Sequence, residues 1–496
     1  MAEDKLIAIQ VGAVSFVDEG IDRVLTEVQA RAGVNALFLA TPTWTRGTGG
    51  RAVPGHPIPD HGVQAYDHDY IGGNYAVTHP EFYGGTDIPP VPKNPEHPDF
   101  DLLGDVIGEA KKRGMASYAW MEESSYIQAV RDIPNMPKSM EVDVHQIPSS
   151  RPCFNNPDYR NWHLGIVEDY VKSYDLDGLA WCSERPGPLN ACLAGPISSA
   201  GLTCFCRHCR AIARDRGIDA DRAIRGYTEL LEWNTKLQSG VRHADGAFSS
   251  FWRILLRFPE VLAWQNLWTE SQRRLYRDIY GVAKASNRNL EVGWHVFHDI
   301  SFSPFYRADQ DYAELGKLSD FIKVVAYNNC AGPRFHHWVH SIGTTLFADV
   351  AIDQVYGFLQ GLLNYDEAPL EELPQVGFSS DYVRRETERA QASVPAGTKI
   401  YPGIDIDIPV GFTPAAAADR AKRFESVPGM RTGTALNTDT STGDDLTRST
   451  PEAVKQAVLA AFGGGADGVV LSRKYSEMFL DNLSGAGAAL DELGLR

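Results

Sequence analysis

Seven cysteines stand in this chain of 496 residues, at positions 153, 182, 192, 204, 206, 209 and 330. Three of them fall in Cys204-Phe205-Cys206-Arg207-His208-Cys209, and Cys153 lies upstream in Arg151-Pro152-Cys153-Phe154-Asn155-Asn156-Pro157. A C-x-C-x2-C run brings three thiolates to one centre, and a fourth closes a tetrahedral zinc site with no open position. Such a site is structural, and it pins the segments on either side of the residues it encloses. Cys153 and Cys192 both compete for the fourth place. Met1 to Lys5 run straight into the short apolar stretch Leu6–Ile9, too short for a signal peptide, which predicts a cytoplasmic chain. Reduced thiols in that compartment favour metal over disulfide.

A second set of residues suits acid–base work. Apolar, β-branched runs at 6–15, 34–41, 116–121, 178–182, 290–295, 321–327, 399–406 and 468–472 alternate with helical stretches. That alternation predicts eight parallel strands and an α/β fold, a (β/α)8 TIM barrel spanning 1–496 as a single domain. Long insertions follow strands two and four: an active-site loop at 43–98, rich in Gly, Pro, His and Tyr, and a helical insertion at 210–288. In such barrels the loops after the strands build the site.

Polar residues at the carboxyl ends of the strands are therefore the candidates. Glu122 follows strand three, and Trp181, Glu184 and Arg185 follow strand four. His295, His298 and Asp299 follow strand five; Tyr327, Asn328 and Arg334 follow strand six. Strand seven ends in Asp405-Ile406-Asp407, and strand eight in Arg473. Trp44, Trp120, Trp181 and Trp294 would wall the pocket, since sugar rings stack on aromatic faces while their hydroxyls need fixed donors and acceptors. Two carboxyl groups facing such a ring could cleave a glycosidic bond: one donates a proton, and the other, ionised, attacks or activates water. Glu184 is the expected acid/base, and Asp405, Asp407 or Glu122 the second group.

The segment Arg151–Arg160 resembles that of family 42 glycoside hydrolases, the β-galactosidases, where a zinc-binding Cys precedes Pro, Asn, Tyr and Arg after the third strand. In that family a helix and a strand follow, the strand ends in Asn-Glu, and a C-x-C-x2-C supplies the other zinc ligands. This chain repeats the order Cys153, helix, strand, Glu184, then Cys204, Cys206 and Cys209. The resemblance implies a structural zinc on those four cysteines and an acid/base role for Glu184. The stretch 155–217 also resembles the hypothetical glycosyl hydrolase-like barrel families. Ser183 replaces the family's Asn, and strand seven offers Asp where the family has Glu.

Two rivals come from other classes. His295, His298 and Asp299 could serve a metal-dependent enzyme, or the barrel could bind carbohydrate without turnover. The net charge is −17, from 47 basic and 64 acidic residues, and no basic block stands out. That argues against nucleic acid or an anionic membrane as partner and leaves a homo-oligomer open. The expected partner is a carbohydrate substrate, with no organic cofactor.

Overall fold

The structure, a computed structural model, describes residues 5–43, 60–63, 73–123, 133–406 (194, 196 and 198 apart), 449–472 and 475–496. Eight parallel strands form where the apolar runs predict them. They are β1 (Leu6–Gly12), β2 (Ala36–Ala40), β3 (Ala116–Glu122), β4 (Gly178–Cys182), β5 (Glu291–His295), β6 (Phe321–Lys323), β7 (Lys399–Ile400 and Gly403–Asp405) and β8 (Gly468–Ser472). Neighbours in sequence pair in register from β1 to β6. Pro402 explains the break in β7: it has no N–H to give to the ladder, while its carbonyl accepts from Val470 N–H. The first half of β7 pairs with β6, the second half with β8, and β8 pairs with β1, so the sheet closes on itself.

Alternation along each strand divides the molecule into an outer and an inner core. Ile7, Ile9, Leu37, Leu39, Leu179, Val292, Ile322, Ile404 and Val469 face the helices in the large outer core. Ala8, Phe38, Tyr118, Trp120, Ala180, Phe321, Tyr401 and Val470 fill the barrel. The interior has a tight taper. A Cβ added at Gly178 would meet the Tyr118 ring at 2.1 Å, and one at Gly293 the Phe321 ring at 2.3 Å. These glycines let four aromatic rings fill the amino-terminal half, leaving the polar inward residues for the opposite end.

Local chemistry fixes the helix ends. Asn156 caps the helix Pro157–Ser173, its Oδ1 accepting from the N–H groups of Asp158 (3.0 Å) and Tyr159 (3.2 Å), with proline at the first position. Thr450 does the same for Pro451–Gly463, and Gly465 leaves that helix at φ +90°. Between β4 and β5 run the helices Arg207–Asp215, Ala220–Gln238, Ala247–Arg257 and Glu260–Ser286. Between β6 and β7 lie Asn328–Gly343, Ile352–Leu363 and Ser380–Ser393. An antiparallel hairpin, Met140–Val142 with Pro148–Pro152, precedes Cys153. No helix among the described residues is long and apolar enough to cross a membrane.

Candidate active site

Strand register aligns one inward row at the carboxyl-terminal end of the barrel: Glu122 opposite Cys182, Cys182 opposite His295, and His295 opposite Lys323. Two residues beyond Cys182, the side chain of Glu184 enters the same mouth with 40% of its surface exposed. Its Oε1 lies 3.0 Å from His295 Nε2. On the far side of that ring, Lys323 Nζ lies 3.1 Å from His295 Nδ1. The same Nζ donates to the Tyr327 hydroxyl at 2.8 Å and to Gln10 Oε1 at 3.3 Å. A charged lysine has only donors, so Nδ1 must accept and Nε2 carries the proton that goes to Glu184. The tautomer of His295 is thus set by the buried cation behind it.

Electrostatics separates the carboxyl groups. Burial raises Glu184, but the His295 hydrogen bond and the positive charges of Arg334 and Lys323 outweigh it, leaving Glu184 below the usual carboxylate range. Burial pushes Asp299 up to about 7, against the pull of Arg334 and helped by the Glu184 charge. Asp405 faces inward at the end of β7 and is fully buried. Its Oδ2 accepts from Cys330 N–H at 2.9 Å, in the first turn of the helix Asn328–Gly343. A helix amino terminus stabilises the ionised form of such a group.

Several expected site residues are placed elsewhere, for reasons of strand alternation. Trp181 and Trp294 face outward, where Trp294 stacks on Tyr276 at 4.4 Å and Trp181 packs edge-on against both rings. They belong to the outer core and cannot wall a sugar pocket. Trp120, one strand over, does point inward, its ring 6.3 Å from that of His295. Arg185 also turns outward, 2.9 Å from Glu123 and 3.7 Å from Glu141, with its guanidinium 3.9 Å above the Phe154 ring. It braces the strand rather than the substrate. Ser183 donates to Glu123 Oε2 at 2.5 Å and accepts from Gln272 at 3.2 Å, so its hydroxyl is committed on the outward side of the strand. Asn328 turns its amide to the Phe378 carbonyl at 3.3 Å. His298 sits behind the mouth: its Nδ1 accepts from Arg334 at 2.9 Å and its Nε2 meets the Tyr382 hydroxyl at 3.0 Å. His298 therefore holds Arg334 in place. Trp44, Asp407 and Arg473 lie outside the described residues.

Gln10 and Lys323 were not among the sequence candidates. Their signal was present: each interrupts an apolar strand at an inward position, and a lysine inside Phe321-Ile322-Lys323-Val324-Val325 has no cheap place in a core.

The four cysteines of the expected metal site do converge. The sulfurs of Cys153, Cys204, Cys206 and Cys209 all lie within 4.8 Å of one another and are buried. Cys153 Sγ is 3.5 Å from both Cys206 Sγ and Cys209 Sγ. Cys192 is not in the group, because it sits on the helix Pro188–Leu193 and packs in the outer core. Asn155 donates its backbone N–H to Cys153 Sγ and its side-chain amide to Cys209 Sγ, both at 3.3 Å, as second partners of metal thiolates do. Hydrogen bonds from Cys153, Cys204 and Cys209 pull the Cys206 thiol far down, while burial pushes Cys204 up. The donor set, four buried sulfurs around one centre, fits a tetrahedral thiophilic ion.

The cluster and the barrel mouth are joined. Arg185, next to Glu184 in sequence, donates to the Pro152 carbonyl at 2.8 Å and covers Phe154, the two residues flanking Cys153.

No protein-family model matches the chain, and no curated protein matches it in sequence. Solved structures with similar folds include α-L-fucosidase isoenzyme 2 from Paenibacillus thiaminolyticus, at 13% identity and a TM-score of 0.48, covering 99% of this chain and 49% of that one. A β-galactosidase from Halorubrum lacusprofundi has 12% identity and a TM-score of 0.49, covering 99% of this chain and 58% of that chain. A class V chitinase from Pseudomonas fluorescens Pf-5 has 10% identity and a TM-score of 0.44, covering 98% and 99%. The chain spans about half the length of the fucosidase.

Proposed function

We propose that this barrel is a glycosidase, hydrolysing a glycosidic bond with two carboxyl groups, one of which is Glu184. A single observation carries the reading: Glu184 is a half-open carboxylate at the carboxyl end of β4, held in the mouth by a histidine whose tautomer is fixed by Lys323. The resemblance of the segment from Cys153 to Cys209 to family 42 supports the same residue as acid/base. Asp405 is the partner that suits it. The Cys330 N–H favours its ionised form, the state that a nucleophile or general base requires.

A second assignment of roles has its own support. With Asp299 raised to about 7 and Glu184 lowered, Asp299 would hold the proton near neutral pH and Glu184 would act as the ionised group. Both assignments keep Glu184 in the reaction.

The cysteine cluster would hold a structural Zn2+ that braces Arg185 and, through it, the Glu184 strand end. The metal-enzyme rival loses one of its expected donors. His298 is committed to Arg334 and Tyr382, and the donor group at the mouth is instead Cys182, Glu184 and His295. Lys323 stands against that histidine, and its positive charge opposes a divalent ion there.

The test is a panel of aryl glycosides and oligosaccharides offered to the purified chain. Cleavage of one, unaffected by a chelator too weak to strip the cysteine site, is the expected result. Sugar binding with no cleavage of any substrate would make this a carbohydrate-binding barrel.

A further inference from the structure

A third group of metal-ligating side chains lies away from both sites already described. His336 and His340 are one helical turn apart on Asn328–Gly343, so their rings share a face. Glu371 reaches them from the short turn Leu370–Glu372, more than thirty residues on. His336 Nε2 and His340 Nε2 are 3.1 Å apart. The carboxylate spreads over both rings, Oε2 at 3.7 Å from His336 Nε2 and Oε1 at 3.7 Å from His340 Nε2.

Tetrahedral zinc with ligands at about 2.0–2.1 Å has neighbouring donor atoms about 3.4 Å apart. The three separations here straddle that value. Two imidazole nitrogens facing each other can share only one hydrogen, whereas a cation between them uses both lone pairs. Side-chain exposures of 26%, 42% and 74% leave the group open to ions from solvent.

We propose that His336, His340 and Glu371 form a binding site for a divalent transition-metal ion, with Zn2+ the natural occupant. Two neutral imidazoles and one carboxylate are borderline-soft donors that suit zinc, and three protein ligands leave a fourth position for water. The ion ties the 370–372 turn to the helix. That helix carries Arg334 toward the barrel mouth and supplies the Cys330 N–H to Asp405. The site is a clamp on an element that frames the mouth. It stands independently of the glycosidase reading.

Titration of the full-length protein with ZnCl2 by calorimetry tests this, set against the double variant His336→Ala/His340→Ala and the single variant Glu371→Gln. Ions taken by the four-cysteine cluster contribute to all three proteins alike, so the difference isolates the new site. The wild type should bind one more equivalent than the double variant. Glu371→Gln should weaken that extra equivalent at least about tenfold, the scale seen when even an outer partner of a metal ligand is changed. Added Zn2+ should raise the melting temperature of the wild type more than that of the double variant. Equal stoichiometry and affinity in wild type and double variant would overturn the proposal. Should the double variant fail to fold, an unchanged affinity in Glu371→Gln, whose side chain is mostly exposed, would overturn it equally.

Discussion

Glu184 and Asp299 make opposite demands on pH, and that separates the two assignments of their roles. Glu184→Gln removes a carboxyl group and leaves its shape. Turnover should fall by about 10²–10⁴-fold with little change in binding; where Glu184 is the proton donor, the loss shrinks for nitrophenyl glycosides, whose leaving groups need little protonation. A rise in KM alone would make Glu184 a binding residue. If Glu184 donates the proton, its lowered pKa confines activity to acid pH, and the rate declines well before neutrality. If Asp299 donates it, activity persists until Asp299 titrates at about 7 and falls above that. Asp299→Asn then removes the limb near pH 7; an unchanged profile in that variant assigns the proton to Glu184.

At the scale of elements, the hairpin, the cysteine loop and the end of β4 act as one brace. Phe205 N–H donates to the Val142 carbonyl at 2.7 Å, tying the cysteine loop to the hairpin. Arg185 ties the residues around Cys153 to Glu123 and Glu141. Cys204→Ser should therefore lower metal content and melting temperature together, because binding energy at a closed structural site is folding energy. Elemental analysis beside calorimetry checks it. A metal-free variant as stable as the wild type would remove the structural role.

For the whole molecule, the packing between the barrel and its helices sets an acid limit on stability. His163 is buried on the helix Pro157–Ser173, its Nε2 2.8 Å from the Tyr159 hydroxyl. Burial, and then the charge of Arg185, pushes it from 6.5 down to about 3. An unfolded chain takes up this proton near pH 6.5 and the folded one does not. The stability His163 permits is therefore full above about 6.5 and is lost as pH falls toward about 3, at most about 1.4 kcal/mol per unit. Denaturant titrations at pH 7 and pH 4.5 should show a smaller acid loss in His163→Gln than in the wild type. Identical losses would show that this imidazole is not held neutral.

Sequence alone was enough for the eight strands and their order, because runs buried on both faces must be apolar and the connections between them were helical in pattern. It was enough for the cysteine motif, since three thiols within six residues reach one centre with little help from the rest of the chain. The choice of Cys153 over Cys192 needed the tertiary structure, because the fourth thiol comes from a distant segment. So did the site. Period-two alternation sends Trp181, Ser183 and Arg185 outward and Cys182 and Glu184 inward, and strand ends read as a list do not show which parity faces the barrel. Lys323 and Gln10 were visible as polar residues in apolar runs, yet only barrel closure brings residues 10 and 323 to one nitrogen. The pairing of His295 with Glu184 on one side and Lys323 on the other is likewise a product of register between β4, β5 and β6. Residue chemistry is local and can be read from the chain; which side chains meet depends on parity and closure, which are properties of the folded sheet.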